Sequence, residues 1–135
     1  MAQISQLSLA DGQATPASHV FKPTLPQQGS TPAQWVNAES ETLVGNRKVT
    51  LRVAERQNKY EVEVRVTDPV LSVVSDTCCD IQNVPAVAYT NTFSGTFTIA
   101  KSATLQNRKD ILAYAKSILA VAAVAEAVEN LEQVW

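Results

Sequence analysis

Between Asn46 and Val66 the chain reads NRKVTLRVAERQNKYEVEVRV, two runs of alternating apolar and polar residues joined by a short polar turn. This alternation constrains the fold strongly, because side chains change sides of a strand with period 2, whereas a helix would scatter the same residues around its surface. The stretch predicts a β-hairpin. Val49, Leu51 and Val53 fall on one face of its first strand, and Tyr60, Val62, Val64 and Val66 on one face of its second. The other face carries Lys48, Thr50, Arg52, Lys59, Glu61, Glu63 and Arg65. One side therefore needs a core, while the other presents a patterned, charged platform to solvent or to a partner.

Composition matters next because it limits what that platform meets. With 135 residues, 45% hydrophobic and 18% charged, the chain is long enough for one ordinary domain, 1–135, with a modest core. Formal net charge is −2, yet six of the eleven Lys and Arg residues (Arg47, Lys48, Arg52, Arg56, Lys59 and Arg65) lie within the hairpin, beside three acids. Positive charge concentrated in this way suits a defined polyanion site better than a general coating of nucleic acid. Cross-strand ion pairs on a solvated sheet face explain the same pattern, and on charge alone they are the commoner explanation.

The chain around the hairpin reads as follows. Gln3–Leu9 and Ala14–Phe21 predict two strands joined at Asp11-Gly12, a favoured tight-turn pair. Lys22–Pro32, with Pro23, Pro26, Gly29 and Pro32, reads as a connector without regular structure. Ala33–Ala38 is a short strand candidate, and Glu39–Gly45 a polar turn. After Val66 a long loop is expected, holding Cys78 and Cys79. These cysteines are neighbours, with Cα atoms ~3.8 Å apart, so they bond to other chains or not at all. Ala86–Ile99 predicts a strand of ~14 residues. Val87, Tyr89, Phe93, Phe97 and Ile99 lie on one of its faces, with Ala88, Thr90, Thr92, Ser94, Thr96 and Thr98 opposite.

From Ser102 the period changes to 3.6, with Ile111, Ala115, Ile118, Leu119 and Ala122 on one stripe and Val121, Val124, Val128 and Leu131 on another. The displacement of the two stripes predicts two helices with a break near Leu119–Ala123. Ser102 and Asn107 are the N-cap candidates. The longest apolar run, Ile118–Ala125, is far below the ~18–20 residues that span a bilayer, and synthesis in the cytoplasm is expected.

Enzymatic readings find little support. His19 is the one histidine, which builds neither a metal cluster nor a Cys–His pair. Gly12, Gly29, Gly45 and Gly95 are too scattered for a phosphate loop. Glu61 and Glu63 share a face, as an acid–base pair would, but beside Lys59 and Arg65 they are more simply ion-paired. No cofactor and no metal is implied. Outside the family reading below, the pattern suits a dimeric β-sheet protein that binds a small ligand or peptide.

Several segments in the same order resemble the coat proteins of the small single-stranded RNA bacteriophages, the leviviruses. They are AQISQLSLADGQATPASHVFKP, KVTLRV, KYEVEVRV, VPAVAYTNTFSGTFTI and NRKDILAYAKSILAVAAVAEAV, the last two especially like Pseudomonas-phage members. The resemblance implies an α+β fold: an N-terminal β-hairpin, a five-stranded antiparallel sheet and two C-terminal α-helices that pack across a partner subunit. It further implies a homodimer, an icosahedral virion shell, and an inward sheet face that binds a hairpin of viral RNA and represses replicase translation. Carried over residue by residue, the RNA-contacting positions are Lys48, Thr50, Arg52, Lys59, Glu61, Glu63, Arg65, Thr92 and Ser94. Cys78 and Cys79 become inter-subunit disulfide candidates. Glu61 stands where some relatives have Thr, and Thr92 where some have a base-stacking Tyr, so a different hairpin preference is expected.

Overall fold

A computed structural model describes residues 3–72 and 85–134. They fall into two compact units, 1–98 and 99–135. The first holds a six-stranded sheet whose spatial order follows the chain: β1 (Leu7–Ala10), β2 (Ser18–Leu25), β3 (Ala33–Asn37), β4 (Arg47–Glu55), β5 (Lys59–Ser72) and β6 (Ala86–Ala100), which ends just inside the second unit. The second unit contains α1 (Leu105–Leu119) and α2 (Ala122–Glu129), bent by 56° at the break.

The central hairpin forms in the expected register. Val49 lies opposite Val66, Leu51 opposite Val64, and Val53 opposite Val62, while Thr50 faces Arg65 and Arg52 faces Glu63. Strand β3 extends both faces: Trp35 stands beside Val49, and Gln34 beside Thr50. The buried core is small and sits at one end of the apolar face. Phe21, Ala33, Trp35 and Val49 form it, with Ile4, Leu7, Leu51 and Val66 packed against them. The Trp35 indole N–H donates to the Ser5 carbonyl at 2.7 Å, fixing the segment before β1 over this cluster. Towards the other end the face is uncovered, with Val53 and Tyr60 exposed.

Four sequence expectations need correction. First, β2 runs through Lys22-Pro23 to Leu25, where a connector was expected. Its first half pairs with β1 and its second half with β3, so the N-terminal hairpin and the five-stranded sheet β2–β6 share one strand. The register shifts between Pro23 and Leu25, which is where a residue without an N–H is tolerated in a sheet. Second, the turn at Asp11-Gly12 is wider than a two-residue turn: Asp11 N–H donates to the Ala17 carbonyl, and Asp11 Oδ1 accepts from the N–H groups of Gln13 (3.3 Å) and Ala17 (2.9 Å). Gly12 does not use a positive φ, which Gly29 does at 55°. Third, β5 continues past Val66 through Asp68 and Pro69 to Ser72. Its last pairing with β4 is Thr67 with Lys48, so Pro69 lies where β4 asks for no donor. Fourth, α1 is capped by Thr104, whose Oγ1 accepts from the Asn107 N–H at 3.2 Å; neither Ser102 nor Asn107 is the cap. The expected helix break is present, at Ala120–Val121.

Two local contacts set the sheet's margins. The Gln27 side chain pairs with Val53 as a strand would, Nε2 donating to the Val53 carbonyl at 2.7 Å and Oε1 accepting from its N–H at 2.9 Å. Gly45 closes the short 3-10 turn Leu43–Gly45 and leaves no room for a side chain, since a Cβ there would collide with Ser40 Oγ and Leu71 Cδ1. On β6 the expected alternation shows in burial only near the end, with Phe97 and Ile99 partly covered and Thr96 and Thr98 exposed, whereas Val87, Tyr89 and Phe93 are exposed like the polar residues between them. No residue of α1 or α2 is buried; Ile111, Leu112, Ile118 and Leu119 stand exposed. No single described helix is long and apolar enough to cross a membrane. Cys78 and Cys79 lie outside the described residues.

Candidate nucleic-acid interface

The polar residues of β3, β4 and β5 come together as the alternation requires. They line an open depression of about 370 Å³ formed by Pro32, Gln34, Lys48, Thr50, Arg52, Glu63, Arg65 and Thr67. Of the nine residues singled out from the sequence, Lys48, Thr50, Arg52, Glu63 and Arg65 are thus neighbours. Lys59 and Glu61 are not part of the depression; they belong to a separate cluster at the β4–β5 turn. Thr92 and Ser94 stand exposed on β6, also outside it.

The two glutamates differ in how they are held. Glu61 is held closely, accepting from Lys59 Nζ at 2.9 Å and Arg56 Nε at 3.0 Å, and these hydrogen bonds, Lys59 first, lower its pKa. Glu63 sits between Arg52 and Arg65 at 3.4 and 3.5 Å, beyond the usual range for a short charge-assisted hydrogen bond. Lys48 makes no ion pair among the described residues. The platform thus combines one unengaged cation, two loosely held guanidiniums and the small hydrogen-bonding side chains of Gln34, Thr50 and Thr67.

Pro32, Gln34 and Thr67 were missed from the sequence for identifiable reasons. Pro32 lies in a proline-rich stretch that reads as a connector, Gln34 shows its facing only through its pairing with Thr50, and the alternation of the second strand breaks at Thr67-Asp68-Pro69. Alternation carried one residue further would have placed Thr67 opposite Lys48.

A second charged cluster lies on the other face of the sheet. His19 Nε2 is 3.0 Å from Asp11 Oδ2 and its Nδ1 is 2.5 Å from Glu39 Oε2. Arg47 follows, 3.9 Å from Glu39 and 2.8 Å from Asp68. A neutral imidazole has a single N–H, so hydrogen bonds from both ring nitrogens to carboxylates require the imidazolium. The contacts with Asp11, then Glu39, raise the His19 pKa, and the contact with His19 lowers both carboxylates. This histidine links the β1–β2 loop to the end of β3.

Comparison with known proteins identifies this architecture. The levivirus coat protein family profile matches residues 2–135. The chain belongs to the levivirus coat protein family. It is a structural capsid protein of the virion, and it is not an enzyme. Among solved structures, the levivirus coat chain is similar to the virus-like particle of bacteriophage NT-214, with 47% identity, a TM-score of 0.93, and coverage of 99% of this chain and 100% of that one. It is also similar to the virus-like particle of bacteriophage ESE058, at 28% identity and a TM-score of 0.92, with the same coverage. The capsid protein of bacteriophage GA shares the fold at 20% identity and a TM-score of 0.74, with 98% of each chain covered. A comparison with curated proteins finds no match.

Proposed function

We propose that this coat protein acts as a homodimer that closes into an icosahedral shell around single-stranded RNA, with the polar face of β3–β5 turned inward against it. The carrying observation is the two-sidedness of the sheet. One face gathers Lys48, Arg52 and Arg65 around small polar side chains, while the other is covered at the Trp35 end and bare at Val53 and Tyr60. Exposed apolar residues on α1 and α2 supply a matching surface, so two copies that lay helices across each other's sheets would bury what one chain leaves open. The solved relatives described as virus-like particles support the shell.

On this reading Lys48, Arg52, Lys59 and Arg65 neutralise phosphates, while Thr50, Thr92 and Ser94 hydrogen-bond unstacked bases of an RNA hairpin. Occupancy of a hairpin at the replicase start then represses translation. Cys78 and Cys79 join neighbouring subunits once the particle leaves the reducing cytoplasm.

The test is expression of the chain alone. Electron micrographs should show closed particles, and nuclease-treated particles should retain nucleic-acid absorbance. Protein that stays a dimer at every salt concentration would overturn the reading that this chain closes into a shell without other components.

A further inference from the structure

One imidazole joins the β1–β2 hairpin to the connection between β3 and β4. His19 pairs with Leu9 in the ladder, so its contact with Asp11, just past the end of β1, stays within the hairpin. Its contact with Glu39 leaves the hairpin, because Glu39 belongs to the 38–46 turn that leads into β4. An open cleft of about 490 Å³ lies beside the ring, lined among others by Glu39, Ser40, Arg47 and Asp68. The remaining charged groups of the cluster are thus Arg47 on β4 and Asp68 on β5, which pair with each other at 2.8 Å.

The two carboxylates are not equivalent partners. Asp11 is tied down independently of the ring, since its Oδ1 accepts from the N–H groups of Gln13 and Ala17 while Oδ2 meets His19. Glu39 offers the ring the same oxygen, Oε2, that faces Arg47 at 3.9 Å. When the imidazolium loses a proton, one N–H remains. Kept at Nε2, it serves Asp11 and leaves a bare lone pair at Nδ1, 2.5 Å from Oε2, where two acceptors repel each other. Glu39 then has Arg47 to turn to, so the contact that opens is the one between the hairpin and the turn. The strands themselves stay joined, because Asn37 Nδ2 donates to the Val20 carbonyl at 2.9 Å without involving the ring.

We propose that His19 is a proton-operated latch of this coat protein: doubly protonated, it ties the 38–46 turn to the β1–β2 hairpin, and neutral, it keeps Asp11 and lets the turn go. The contacts with Asp11 and then Glu39 raise the His19 pKa, so the latch is closed below about pH 6.5 and opens as pH rises through the raised value. Asp11 and Glu39, both lowered, stay ionised throughout that window. The released turn carries Leu43 and Val44, two exposed apolar side chains. The proton on His19 therefore sets how rigidly an apolar tip is presented at the surface.

The experiment is amide hydrogen exchange of the intact protein, followed by mass spectrometry at about pH 6 and about pH 9, with exchange times scaled to the intrinsic rate at each pH. Peptides covering 38–46 should exchange about fivefold faster, relative to the intrinsic rate, at the higher pH, while β4–β5 peptides stay unchanged. Glu39→Gln should reverse this behaviour, because the introduced amide donates to the bare Nδ1 of the neutral ring and keeps the turn protected at about pH 9. A merely structural role for Glu39 would produce no such reversal. His19→Gln, which has no titrating ring, should exchange alike at both pH values. Equal protection of 38–46 at both pH values in the wild-type protein would overturn the latch without recourse to any variant. Opening of the Glu39→Gln turn at about pH 9 to the wild-type extent would overturn it as well, since loss of the Nδ1 proton would not be the trigger.

Discussion

His19 Nδ1 and Glu39 Oε2 lie 2.5 Å apart, and since the other ring nitrogen meets Asp11, both contacts are hydrogen bonds together only while the imidazole is doubly protonated. The folded-state pKa of His19 is raised above the ordinary value near 6.5, so the stabilisation is fully present below about pH 6.5 and is lost as pH rises through the raised value. Asp11 and Glu39 are lowered, so their contribution is present above the ordinary carboxylate range and is lost as pH falls through their lowered values. The thermal midpoint should therefore decline on both the alkaline and the acid side of a mildly acidic plateau. His19→Gln should flatten the alkaline decline, which melts followed by circular dichroism between about pH 5 and pH 9 would register. An unchanged alkaline limb in the variant would disprove the linkage.

The core offers a sharper test of stability. Phe21 is 3% exposed and is the largest purely apolar contributor beside Trp35, so Phe21→Ala should cost about 3–5 kcal/mol in denaturant unfolding. Trp35→Phe should cost less, on the order of 1–3 kcal/mol, because it removes the hydrogen bond to Ser5 and leaves that carbonyl unpaired. A Phe21→Ala protein with wild-type stability would mean that the cluster around Trp35 is not the folding core.

Charge substitutions on the platform should separate free cations from engaged ones. Lys48→Ala removes a cation without an ion-pair partner among the described residues, and should reduce the salt slope of RNA binding by roughly 0.7. Lys59→Ala should reduce it less, because Lys59 is committed to Glu61 at 2.9 Å. Filter binding at several salt concentrations distinguishes the two, and equal slopes would contradict this ranking.

Thr92 and Ser94 stand exposed on β6, apart from the depression. If they read bases, Thr92→Ala and Ser94→Ala should each weaken a cognate hairpin by about 1–3 kcal/mol while leaving a scrambled hairpin nearly unaffected. Equal losses on both RNAs would reduce β6 to a scaffold.

Non-reducing gels of oxidised particles should show covalent ladders that disappear in the Cys78→Ser, Cys79→Ser double variant, with assembly preserved. Adjacent cysteines do not readily bridge to each other, so a ladder reports bonds between chains. Monomer bands alone from oxidised wild-type particles would exclude cross-linking.

Much of this architecture is legible in the sequence because alternation is a local signal. The register of Val49 with Val66 and of Arg52 with Glu63 follows from two alternating runs and one short turn. The helix break follows from two displaced stripes. What was misread depends on pairing between distant segments. Lys22-Pro23 looks like a connector until Trp35 and Val36 are found beside it, and Thr67-Asp68-Pro69 looks like a loop until Lys48 pairs with Thr67 and Arg47 with Asp68. For the same reason the platform was half seen: Lys48, Thr50, Arg52, Glu63 and Arg65 declare themselves by period, whereas Pro32 and Gln34 join only through β3. The role of His19 was hidden as well, since its partners lie eight and twenty residues away.

Gln27 has a chemical consequence of its own. Its amide reproduces a peptide group, so the hydrogen bonds at Val53 are completed by a side chain beyond the point where β3 begins, at Ala33 opposite Leu51. Hydrolysis of that amide, through ageing or by a Gln27→Glu change, would leave a carboxylate facing the Val53 carbonyl and turn one of the two bonds into a repulsion. A stretch of strand backbone would then be open to pair with a foreign chain, and the long-term shelf life of the protein would depend on one side-chain nitrogen.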